Sequence, residues 1–244
     1  MSKKKELPKP VTASELTSQL DQDPNFVQRR KEKERHFEAV QIALQVAEEP
    51  IVNALRSVGI RVGSVWDLVN QRYTEPRVIP ILVEQLRLPY PYRIREGIAR
   101  GLTVQNAGKK ALRVLVDEFK KVPDSEDAPQ HGFKWALGNA ISVVADRSSF
   151  DEVVSLLRDR SHGTTRDMMV LRLPRLDHRL EAIAVLTELL SDEDVIPQAL
   201  AALGTLEAVQ ARASIEVFKN SKNAVIRKAA RDALRKIALV GHAV

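Results

Sequence analysis

From residue 24 onward, apolar residues recur at intervals of three and four, the spacing of amphipathic helices. Phe26 and Val27 lead through the charged run Arg29-Arg30-Lys31-Glu32-Lys33-Glu34-Arg35 into Phe37, Val40, Ile42, Ala43, Val46 and Ala47. Pro24 suits a first helical position, and Pro50 predicts the end of that helix near Glu49. A second, short helix then holds Ile51, Val52, Leu55 and Val58 and closes at Gly59. Residues 24–59 therefore read as an N-terminal helical cap. Before them the periodicity is lost and Pro8 and Pro10 break any helix, so residues 1–23 read as a mobile tail.

Beyond residue 60, one nine-residue block recurs. Ile94-Arg95-Glu96-Gly97-Ile98-Ala99-Arg100-Gly101-Leu102 and Ile226-Arg227-Lys228-Ala229-Ala230-Arg231-Asp232-Ala233-Leu234 share its order of apolar, basic, polar and small positions. Further blocks begin at Phe133, Thr165 and Val195, giving successive steps of 39, 32, 30 and 31 residues. The second position is basic in Arg95, Lys134, Arg166 and Arg227, with Ile196 the exception. The eighth is small in Gly101, Ala140, Ala202 and Ala233, with Arg172 the exception. The ninth is always aliphatic: Leu102, Ile141, Leu173, Leu203 and Leu234. A weaker copy spans residues 60–68.

A second amphipathic helix is predicted after most blocks. One covers 109–122, with Leu112, Leu115, Val116 and Phe119 on one face; another covers 150–157; a third, over 179–190, is apolar nearly all round. The unit is thus read as a block helix followed by its partner, with small residues where backbones approach. The longest step places an inserted acidic loop at residues 124–132.

Trp135-Ala136-Leu137-Gly138 with Leu156-Leu157-Arg158-Asp159, then Ala201-Ala202-Leu203-Gly204, then Val225-Ile226-Arg227-Lys228-Ala229-Ala230, resemble the repeats of HEAT-repeat proteins. The flavour is that of the bacterial HEAT-like repeats also found in phycobilin lyases, and the resemblance covers roughly residues 60–240. It implies an all-α, right-handed α-solenoid over 60–244, of about five or six helix pairs. It also implies that the second helix of each pair lines the concave surface. Its functional content is broad: scaffolds, adaptors, transport receptors, lyases and one group of DNA glycosylases carry such repeats.

Composition narrows the chemistry. The absence of cysteine excludes disulfides, thiolate metal sites, iron–sulfur clusters and cysteine nucleophiles. No apolar stretch approaches the ~20 residues of a membrane span, and Lys3, Lys4 and Lys5 are followed by no apolar run, so neither membrane nor signal peptide is expected and the chain is read as cytoplasmic. Charge is zoned. Residues 90–122 and 205–244 each carry eight Lys/Arg against three Asp/Glu, while 123–163 and 164–204 each carry four against seven. The net +6 points to an acidic partner.

No phosphate loop, dinucleotide fingerprint or nucleophile elbow occurs, and the five histidines lack metal-binding spacing, so no cofactor or metal is expected. Ser161-His162 and Asp177-His178 are adjacent pairs that cannot face each other on a helix, and read as loop or capping groups. Trp135 with Asp146 and Arg172 suggests a glycosylase-like pocket, but both Trp66 and Trp135 lie in apolar periodic stretches and read as core. Two basic clusters remain as partner sites. Lys109, Lys110, Arg113, Lys120 and Lys121 share the polar face of a helix read as the second of its pair. Arg231 and Arg235 continue from Arg227 on the last helix, where the polar face of a terminal capping repeat is the plainer reading. Arg95, Lys134, Arg166 and Arg227 are assigned to stability, reaching carbonyls and carboxylates across repeat junctions. The expected function is a non-enzymatic scaffold holding an acidic protein or peptide in its concave groove. The alternatives are nucleic-acid binding through the basic zones and an accessory lyase subunit.

Overall fold

The computed structural model describes residues 11–69, 74–125 and 127–241, and all the regular structure in them is helical. The chain divides into Met1–Val46 and Ala47–Val244. The prolines expected to end any early helix, Pro8 and Pro10, lie outside the described residues. Ala13–Gln22 is nevertheless a helix, α1, where none is predicted. Thr12 caps it: its hydroxyl accepts the Glu15 N–H, and the Glu15 carboxylate accepts the Thr12 N–H in return. No residue of α1 is buried, so this local capping box does what packing does elsewhere.

Helix α2 (Pro24–Ser57) corrects a second expectation, because it runs through Pro50 without a break. The proline costs one backbone bond, to the carbonyl of Val46. The turn after it is fixed by burial of Ile51, Val52 and Leu55, which holds the helical path across that gap. Glu48, also buried, accepts from the Ser64 hydroxyl and the Val65 N–H.

Among the described residues ten more α-helices follow: α3 (Val78–Gln85), α4 (Tyr92–Gly101), α5 (Gly108–Lys121), α6 (Ala128–Val144), α7 (Phe150–Arg158), α8 (Asp167–Arg172), α9 (Arg179–Glu188), α10 (Ile196–Thr205), α11 (Arg212–Glu216) and α12 (Ala224–Gly241). The block repeats fall on α4, α6, α8, α10 and α12, and each of these packs on the next of the series. Such successive stacking is an α-solenoid. The weaker copy at 60–68 yields only the 3₁₀ turn Val65–Leu68, capped by Ser64.

The phase of the unit differs from the sequence reading. Each block helix packs along the helix before it, in pairs α3–α4, α5–α6, α7–α8, α9–α10 and α11–α12, whereas α4 and α5 scarcely touch. The block helices are therefore the second members of their pairs. The insertion also resolves differently: its last residues, including Pro129 in the first turn, extend α6 rather than forming a loop.

Small block residues sit where predicted. Ala140, Ala202 and Ala233 are buried, and at Gly204 an added Cβ would stand 2.8 Å from the Cα of Ala233. Glycine there lets α10 and α12 meet backbone to backbone.

Candidate functional site

Helix α5 divides cleanly. Ala111, Leu112, Val114, Leu115, Val116 and Phe119 are buried, and Lys109, Lys110, Arg113, Asp117, Lys120 and Lys121 are exposed on the opposite face. That helical period sets the cations side by side on a rigid element. Among the described residues only Lys121 of the five cations is paired, at 2.7 Å from Glu118. Glu118 is itself buried and also receives the Arg95 guanidinium at 2.5 Å, so it is already engaged. Lys109 reaches an open depression of about 560 Å³ lined by Asp146, Arg147, Ser148, Phe150, Asp151 and His178. The Asp146 carboxyl is held below its ordinary value, first by the Ser148 hydroxyl, then by that of Ser149, with a lesser pull from Lys109.

The second cluster is spent on local structure. Arg227 donates to the carbonyls of Ser221 and Lys222, Arg231 to the carbonyl of Lys219 at 3.2 Å, and Arg235 pairs with Asp232 at 2.9 Å. Arg227 and Arg231 tie α12 to the turn that precedes it, and the Arg235 pair lies within α12. The two clusters do not come together: α5 is the first helix of its pair, α12 the second of the last. The lysines of α5 thus lie on the layer opposite the one that the resemblance assigns to the concave surface.

No protein-family model matches the chain, and no curated protein matches it. Among solved structures, a designed armadillo repeat protein is similar at 16% identity over 82% of this chain and 94% of that chain, with a TM-score of 0.40. The fold stands on the helix order and packing described above.

Three of the four basic second positions, Arg95, Lys134 and Arg166, reach across repeat junctions, whereas Arg227 bonds only the turn before its own helix. Arg95 donates to the Leu86 carbonyl as well as Glu118. Arg166, with no solvent exposure, donates to the carbonyls of Gly163 and Leu157 and to Asp192 at 2.8 Å. Lys134 is buried and places Nζ 3.1 Å from Nδ1 of His162, whose Nε2 lies 3.5 Å from Asp159. Burial pushes Lys134 down, against the pull of Asp124 and Asp159, and burial followed by the nearby Lys134 charge pushes His162 down. His162 is therefore a junction group packed on Phe119, not a loop residue. His178 stacks on Phe150 and meets the Arg147 carbonyl.

The tryptophans are where the sequence reading falls short. Both are half-buried rather than core, and each carries a guanidinium on its face: Arg93 over Trp66 at 3.7 Å and Arg100 over Trp135 at 5.3 Å. Arg172 instead donates to the Ala145 carbonyl, and Asp146 is bonded to serines, so neither joins Trp135 in a pocket. The missed signal is the i, i+3, i+7 series Arg93, Glu96, Arg100 on one stripe of a block helix. Among the described residues no three His, Asp or Glu side chains gather as a metal site, and no helix is long and apolar enough to cross a membrane.

Proposed function

We propose that the chain is a non-enzymatic, HEAT-like repeat scaffold that docks an acidic segment of a partner protein on the polar face of α5. The observation that supports this is the charge of that face. Lys109, Lys110, Arg113 and Lys120 are exposed and, among the described residues, without an ion pair, whereas Arg158 of α7 and Arg212 of α11 each hold a carboxylate. Like charges crowded on one helix face repel one another, and an anionic surface laid over them relieves that repulsion while forming charge-assisted hydrogen bonds. The exposed Asp151 and Glu152 opening α7 limit the basic field to a patch, which suits an acidic protein surface better than a long polyanion.

The test is affinity capture from the native host's lysate with the parent chain and with the variant Lys109→Glu, Lys110→Glu, Arg113→Glu, each with and without nuclease. A protein retained after nuclease by the parent and lost by the variant is the expected result. Retention by both places the contact elsewhere, and loss of everything with nuclease replaces the scaffold reading with nucleic-acid binding.

A further inference from the structure

On the layer formed by the second helices, five side chains from three successive elements make one continuous array. Trp66 comes from the 3₁₀ turn Val65–Leu68, Arg93, Glu96 and Arg100 from α4, and Trp135 from α6. Glu96 is the centre: its side chain is 9% exposed, and its two carboxylate oxygens are divided between the arginines. Oε2 accepts from Arg93 at 3.2 Å, and Oε1 accepts from Nε of Arg100 at 2.8 Å and lies 2.8 Å from its NH2. Gly132 of α6 makes room for this carboxylate, since a Cβ there would stand 3.3 Å from Oε2. Gly97 does the same for the first indole, where a Cβ would stand 3.0 Å from Nε1 of Trp66.

The consequence is that two arginines, ordinarily among the most mobile surface side chains, are each fixed at two points, by an indole face and by a buried carboxylate. A guanidinium held over an indole face keeps the N–H groups that Glu96 does not engage available to other acceptors. The Nε and NH2 of Arg93 and the NH1 of Arg100 make no hydrogen bond within the described residues. Arg93 is 54% exposed and Arg100 30%, so both guanidiniums reach solvent. The array holds two positive charges against one negative charge already satisfied, with indole edges at both ends.

We infer that this array is a recognition site for a carboxylate-bearing peptide segment, an Asp/Glu-rich stretch of a protein laid across α4 between the two tryptophans. Fixed, part-exposed guanidiniums match the planar fork of a carboxylate, and their order is established before binding, so the ligand loses less of its affinity to immobilising them. The methylene groups beside each acidic head pack on the indole edges. The site stands independently of the α5 reading, because it uses none of the α5 cations.

The chain has two tryptophans and both belong to this array, so intrinsic tryptophan fluorescence reports on it alone. The experiment is a fluorescence titration of the full chain with an oligoglutamate peptide and, separately, with an oligolysine peptide. A saturable change with oligoglutamate, weakened by salt and absent with oligolysine, is expected. Arg93→Gln and Arg100→Gln are each expected to weaken binding by about tenfold, one lost charge-assisted contact apiece. Far-UV circular dichroism identical to the parent shows that the variants fold, and the exposure of Arg93 makes its variant the safer of the two. The α5 triple variant is expected to titrate like the parent, which separates this site from the docking face proposed above. No saturable change, an equal response to oligolysine, or undiminished affinity in a folded Arg93→Gln, Arg100→Gln double variant would overturn the inference.

Discussion

A guanidinium with no solvent exposure must find its hydrogen bonds inside the protein, and Arg166 finds the carbonyls of Gly163 and Leu157 and the buried carboxylate of Asp192. Its neighbour Asp167 is less well placed. The Asp167 carboxyl opens α8 with Oδ1 buried and unpartnered, and burial pushes it up to about 6 in spite of Arg166. A group whose folded pKa is raised contributes stability that is complete below its unfolded value of 3.8 and is lost as pH rises through about 6. Asp167→Asn suffers no such loss. It is expected to exceed the parent by about 1–2 kcal/mol in urea unfolding at pH 7, solvent screening of this half-buried group reducing the full effect, with the difference closing as the pH is lowered toward 4. A constant difference across that range would show that the carboxyl is ionised in the folded chain throughout. The basic position of Arg166 was legible in the sequence, because a charge recurring at one repeat position has to serve the repeat. The strain on Asp167 was not, since it comes from a desolvation that no spacing encodes and from Asp194 on another turn, against the pull of Arg166.

Elements were read correctly where their signals were periodic and misread where they were local. The block helices and three of their neighbours, α5, α7 and α9, were visible because apolar positions recur with a helical period over several turns, whereas α3 and the five-residue α11 were not read from the sequence. Helix α1 was missed because its evidence is a single capping box, Thr12 with Glu15, without an apolar face behind it. The pairing phase was misassigned for a different reason. In a strictly alternating series each block helix has one neighbour before it and one after, and only packing shows that α6 lies along α5 rather than α7. Proline was over-weighted at Pro50, where burial of Ile51 and Leu55 outweighs one missing backbone bond. Pro50→Ala supplies that donor to the Val46 carbonyl and is expected to stabilise the chain by about 1–3 kcal/mol in urea unfolding, less the entropy that proline removes from the unfolded state. An unchanged midpoint would mean that the Val46 carbonyl already has a partner or that the two terms cancel, and raised helical circular dichroism with an unchanged midpoint would identify the latter.

At the scale of Ala47–Val244, the stacking order sets how a disturbance spreads. Each block helix packs on its immediate neighbours in the series, and the junctions carry their own polar ties: Arg95 to Glu118, Lys134 to His162, Arg166 to Asp192. Among the described residues no helix bridges distant repeats, so stability is approximately a sum of units and nearest-neighbour interfaces. The two proposed contacts then have separate structural support, the α5 face on the α5–α6 pair and the arginine–tryptophan array on α4 and its neighbours. Removing residues 212–244, and with them α11 and α12, strips α10 of the helix that Gly204 meets across Ala233. Amide hydrogen exchange followed by mass spectrometry is expected to show α10 losing most of its protection, α8 losing less, and α4 and α6 unchanged. Tryptophan fluorescence, which reports only on the α4 array, is expected to stay at its parent value. A fall in protection of α4 equal to that of α10 would make the stack one cooperative block, in which a partner docked on α5 is felt at every junction rather than at its own.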